Sequence, residues 1–131
     1  MRILVFGNPL VREDSLPLRL MPELQKAFPD IEFKELDAVE DLQNEGRRLV
    51  IIDAVKGIKE SCLLDLSSIR LDRIYSMHDF DLGYNLVLLK KLNLIEDAKI
   101  IGVPMNISEK KALNQIQLIL RKCVAQLMHG S

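Results

Sequence analysis

The chain has 131 residues, about the size of one domain, and is long enough to close a core without disulfides or a structural metal. Hydrophobic residues make up 48% of it, which excludes a disordered chain, and a net charge of −1 with 5% aromatics and no Trp argues against a nucleic-acid surface. Two cysteines without C-x-x-C spacing, Cys62 and Cys123, read as thiols serving as small hydrophobes. The apolar stretch after Met1-Arg2 is too short for a signal core, and no run approaches the roughly 20 residues of a membrane span, so a cytoplasmic protein is expected. The elements follow in chain order. Residues 2–6 form a continuous apolar run, the pattern of a strand buried on both faces, and Gly7-Asn8-Pro9 ends it. Ser15 is placed to cap a helix over 18–28, with Pro17 tolerated in its first turn. Residues 31–36 read as an alternating, half-buried edge strand, with Asp37 after it. A short helix over 39–45 is closed by Gly46. Residues 49–52 make a second continuous apolar strand at the sheet centre, running into Asp53. Lys56-Gly57 is a turn, and 61–66 a further strand. That strand is expected to run antiparallel, because the stretch before it is too short for a parallel crossover. A helix over 81–94 carries Leu82, Leu86, Leu89 and Leu92 at helical spacing, 99–103 is the last strand, and Ser108 caps a closing helix striped by Ala112, Ile116, Ile119, Cys123 and Leu127. The sum is a single three-layer α/β sandwich, with a five-stranded, mostly parallel sheet, one antiparallel strand, and helices on both faces.

In such a fold ligands bind outside the carboxyl ends of the strands. Three residues fall there or in loops able to return there: Asp14, Asp53 and His78. Each alone has an ordinary explanation. An Asp at a strand end is often a turn former or cap, Glu13 beside Asp14 is equally a surface acid, and a lone His is usually structural. Asp37 ranks below the other two acids, Asp79 and Asp81 read as caps of the following helix, and His129 has no role assigned. Together, two carboxylates and an imidazole form a ligand set suited to nickel, zinc, iron or manganese, with positions left for water or substrate. Competing sites are weak. Gly7 is the sole glycine before Gly46, so neither G-x-G-x-x-G nor a P-loop is present. Ser61, Ser67, Ser68 and Ser76 lack the G-x-S-x-G elbow, and Cys62 lies inside its expected strand.

These motifs carry a family resemblance. Met1-Arg-Ile-Leu-Val-Phe-Gly-Asn-Pro-Leu-Val-Arg-Glu-Asp14 resembles the amino terminus of the [NiFe]-hydrogenase maturation endopeptidases, where a strand is followed by Gly-Asn, an apolar pair and two acids, the second of them a ligand. Val50-Ile-Ile-Asp53-Ala54 is similar to the strand that runs into Asp-Ala in that family, and His78-Asp-Phe-Asp-Leu-Gly83 to its His before Leu-Gly and a helix. Ile100-Ile-Gly-Val-Pro104 resembles its last strand. The motifs occur in order along nearly the whole chain. Ser15 and Pro17 replace glycines usual after the acids, Asp37-Ala38-Val39 replaces a frequent Gly-Gly, and the stretch after Pro104 is short; these departures alter loops around the cleft. The resemblance implies an endopeptidase that removes the C-terminal extension of a nickel-loaded hydrogenase large-subunit precursor. It implies that Asp14, Asp53 and His78 complete the coordination of nickel carried by that substrate, with another divalent transition metal able to stand in when the protein is alone. Asp14 or Asp53 would be the general base and His78 a ligand. The competing class is a non-catalytic α/β module binding a metal or a protein, flavodoxin-like, receiver-like or a degenerate member of the same family. A receiver would want a Lys at the end of the last strand, where this chain has Pro104-Met105-Asn106.

Overall fold

The computed structural model describes residues 1–7, 10, 15–36, 42, 44–66 and 81–129, with 81 and 125–129 described in backbone alone. The elements are β1 (Arg2–Phe6), α1 (Leu16–Ala27), β2 (Glu32–Leu36), β3 (Arg48–Val55), β4 (Cys62–Asp65), α2 (Asp81–Lys91), β5 (Asp97–Pro104) and α3 (Glu109–His129). The five strands form one sheet in the order β2-β1-β3-β5-β4. β1 pairs in parallel with β2 and β3, β3 pairs in parallel with β5, and β4 is antiparallel to β5. The expected three-layer α/β architecture is therefore present, with β3 central and β2 at an edge.

Each face of the sheet has its own core. On one face Ile3, Val5, Ile52, Ile101 and Val103 meet Leu16, Leu20 and Leu24 of α1 and Ala112, Ile116 and Leu120 of α3. On the other, Leu4, Phe6, Leu49, Ile51, Ala98 and Ile100 meet Leu82 and Leu86 of α2. Alternate residues of β1, β3 and β5 thus enter opposite cores, which is why those strands read as continuous apolar runs.

Three local expectations change. The strand over 31–36 alternates only in its first half: Ile31 and Phe33 join the α1/α3 core, whereas Leu36 enters the α2 core. Glu35 keeps the period of two, so the last apolar side chain falls on the opposite face. The antiparallel strand β4 pairs with β5 and not with β3, because β5 occupies the place beside β3. Along α3, Leu120 is fully buried, while Ile119 is only half-buried against the same core.

Helix ends follow their local chemistry. Ser108 Oγ accepts the Lys111 backbone N–H at 3.2 Å and the Ser108 carbonyl accepts from Ala112 at 2.9 Å, so Ser108 caps α3. Ser15 starts α1 through its carbonyl, which accepts from Arg19 at 3.0 Å, without a side-chain capping bond. Pro22 lies inside α1 on its exposed side, where it removes one helical donor. α2 stops earlier than expected. Asn93 takes φ +61°, and its N–H donates to the Lys90 carbonyl while Leu94 N–H donates to that of Leu89, both at 3.0 Å. These two bonds form a Schellman stop with Asn in the left-handed position.

Candidate functional site

Asp53 is the one residue of the expected triad within the described part of the chain; Asp14 and His78 lie outside it, as do Asp37 and Asp79. Its position differs from the expectation in one respect. Asp53 does not follow the strand but lies inside β3, whose pairing with β5 continues through Ala54 and Val55 to Val103 and Pro104. A charged side chain ends an apolar run in sequence without ending the ladder, because backbone hydrogen bonds carry the strand onward.

Pairing registers fix where Asp53 stands. It is level with Gly102 of β5, which in turn is level with Cys62 of β4. Leu4 pairs with Ile51 in parallel, which sets Phe6 level with Asp53 on the other flank. Leu49 and Ile51 enter the α2 core, so Asp53, two residues on, is on the same face. The same parity puts Phe6, Gly102 and Cys62 on that face. Asp53 is half-buried, where the α2 core gives way to the carboxyl end of the sheet.

The topology makes this end a place where a crevice forms. The chain leaves β1 by way of α1 for β2 at one edge of the sheet, whereas it leaves β3 for β4 at the other edge. Connections that depart from adjacent strands towards opposite edges leave a gap between them at the strands' carboxyl ends. Asp53 borders that gap from β3, and β1 ends at the same end of the sheet.

The connection from β3 to β4 passes the carboxyl end of β5. It turns at Gly57, whose φ of +88° is costly for a residue with a Cβ. Ser61 N–H at its far end donates to Gln115 Oε1 of α3 at 2.8 Å, tying the connection to the opposite layer. Ile58 within it reaches back to Gly102: a Cβ built there would lie 3.4 Å from Ile58 Cδ1 and 3.1 Å from Val55 Cγ2. The surroundings of Gly102, the residue level with Asp53, are therefore apolar.

The cysteines are free thiols. Burial raises the pKa of Cys62, and burial is also the main cause of the rise at Cys123. Both are held in the protonated form, a poor nucleophile and a poor ligand. Cys123 is a buried core residue as expected, whereas Cys62 is only half-buried at the first position of β4. Among the described residues no three His, Cys, Asp or Glu side chains stand together as a metal-holding group. None of the described helices is long and apolar enough to cross a membrane.

A second charged group was not foreseen from sequence. The Glu45 carboxylate is 5% exposed and accepts from Arg2 Nη1 at 2.7 Å and from Lys34 Nζ, while Arg2 Nε also reaches Glu32 at 2.9 Å. Hydrogen bonds from Lys34 first and Arg2 second hold the Glu45 carboxyl below the usual carboxylate range. This clasp joins β1, β2 and the turn before β3. Its partners are remote in sequence, up to 43 positions apart, so no local pattern marks it.

No family model matches the chain, and no curated protein matches it. Among solved structures it is similar to the crystal structure of an uncharacterized protein from Wolinella succinogenes, with a TM-score of 0.53 over 86% of this chain and 77% of that one, at 19% identity. At that identity the likeness is one of fold.

Proposed function

We propose that the protein is an endopeptidase that removes the C-terminal extension of a nickel-loaded [NiFe]-hydrogenase large-subunit precursor. The observation that carries this reading is the place of Asp53: a half-buried carboxylate on the central strand, beside the point where the chain leaves β1 and β3 for opposite edges of the sheet. The ordered resemblance of the segments around Asp14, Asp53, His78 and Pro104 to the hydrogenase maturation endopeptidases supports it, and the three-layer fold accommodates it.

In this reading nickel arrives as part of the substrate. Asp14, Asp53 and His78 complete its coordination, so a precursor without nickel lacks the feature that is recognised. A cation near the scissile bond polarises the carbonyl and lowers the pKa of a bound water. Asp14 or Asp53 takes the proton from that water, which adds across the peptide bond to give the trimmed large subunit and the released peptide. His78 serves as ligand.

The test is incubation with nickel-loaded precursor, with nickel-free precursor as control, followed by electrophoresis and mass measurement of the large subunit. Cleavage of the loaded form alone is expected. Asp53→Asn is expected to slow it on the order of 100-fold or more while leaving the thermal transition near that of the wild type. His78→Ala is expected to weaken nickel binding in titration calorimetry. Absence of cleavage for every loaded precursor tried would overturn the protease reading in favour of a metal- or protein-binding module.

A further inference from the structure

A glycine in the interior of a buried strand weakens that strand unless something needs the space. Gly102 is such a residue. It stands in β5 with Ile100, Ile101 and Val103 around it, all fully buried, and no positive φ explains it. Space does. A Cβ at 102 would meet Val55 Cγ2 at 3.1 Å, Ile58 Cδ1 at 3.4 Å and Leu64 Cδ1 at 3.5 Å. The first contact is inside the roughly 3.5–4.0 Å at which carbon atoms rest against each other.

The residues that would be displaced surround Gly102, which is level with Asp53. Val55 follows Asp53 on the same face of β3, so its side chain is the next one along that row. Ile58 belongs to the connection that leads from the carboxyl end of β3 to β4, and Leu64 comes from β4 on the far side of β5. The missing side chain lies level with Asp53 itself, one strand away, at roughly 4.8 Å between backbones. Three apolar side chains from two strands and a turn therefore converge on a space that exists only because position 102 has no Cβ.

We propose that Gly102 is a positioning residue for Asp53. By leaving this space it lets Val55 and Ile58 seat against β5, and their seating fixes the wall against which the Asp53 carboxylate is held. The inference rests on the reading of Asp53 as the acid that meets the substrate, and it adds what keeps that acid in place. A methyl at 102 pushes Val55 and Ile58 outwards and moves the carboxylate with them. Removing the Val55 methyls returns the space from the other side.

The test uses the full-length protein, Gly102→Ala, and the double variant Gly102→Ala/Val55→Ala. At a temperature well below all thermal transitions, Gly102→Ala is expected to lower kcat for the nickel-loaded precursor about 10- to 100-fold, and the double variant to recover most of that loss. A folded Gly102→Ala protein with wild-type kcat would overturn the proposal. A second arm does not depend on proteolysis. The Asp53 carboxyl carbon and the Ile58 methyl resonances are expected to shift in Gly102→Ala and to return in the double variant. Movement of Ile58 with Asp53 unmoved would also overturn it. If Gly102→Ala does not fold, Ile58→Ala reaches the same wall without crowding and is expected to shift the Asp53 resonance; an unmoved resonance there counts against the proposal. If the wild type cleaves no precursor, the protease reading fails while the resonance arm still decides whether Gly102 positions Asp53.

Discussion

Two acids of this chain show how differently residues advertise themselves. Asp53 interrupts an apolar run, so sequence picks it out at once; what sequence misplaces is its relation to the strand, because Ala54 and Val55 continue a ladder that the charge only punctuates. Glu45 looked like an ordinary residue at the end of a short helix. Its importance depends on Arg2 and Lys34, which only pairing of β1 with β2 brings within reach. Because Glu45 has its folded pKa below the ordinary value of 4.5, its contribution to stability is complete above that value. It is lost as pH falls through the lower folded pKa. Glu45→Gln is therefore expected to reduce stability at pH 7 by up to about 1 kcal/mol, and to narrow the gap to wild type as the pH is taken below 4.5. Urea midpoints measured at pH 7 and pH 3 check both halves.

At the scale of elements, the strands were the most legible. Continuous apolar runs gave β1, the first part of β3 and β5, because parallel strands covered on both faces admit few polar residues. Their ends were less so: β5 begins at Asp97, where a charged residue at the amino edge of the sheet gave no strand signal. The neighbour of β4 was also hidden, since a short connection specifies direction but not which strand receives it. The helix α3 was read well from its stripe. Its buried line of Ala112, Ile116, Leu120 and Cys123 follows steps of four, four and three, so Leu120 faces the core more squarely than Ile119. Ile116 is fully buried between α3 and the sheet. Ile116→Ala is expected to cost about 2–5 kcal/mol, measurable as a lower urea midpoint with an unchanged slope.

For the whole molecule, the sheet is shared by both cores. Ile51 and Ile52, adjacent on β3, enter opposite faces, so neither layer can loosen without disturbing the central strand. Unfolding is therefore expected to be one cooperative transition, with far-ultraviolet circular dichroism and Tyr fluorescence giving coincident curves. Two separated midpoints would mean that the α2 layer melts by itself. The three-layer architecture was legible from the sequence, the place of β4 beside β5 excepted, because element order and buried runs restrict a chain of this size to few topologies. The candidate site was legible only as a set of residues with a shared direction along the sheet: sequence names Asp53 but cannot set Gly102 beside it, a relation that belongs to the register of β3 with β5.

The charged clasp at β2 also bears on what the molecule does in a crowd of its own copies. An edge strand offers its outer backbone groups to any passing chain, and flat apolar edges are templates for stacking. Here β2 carries Glu32, Lys34 and Glu35 within five residues, two of them engaged with Arg2 and Glu45. A second copy laid along that edge would have to strip water from these charges and disturb their ion pairs. The β2 flank is thus a poor template for fibre growth, and colloidal stability at neutral pH is partly a property of the same ion pairs that fasten the strand.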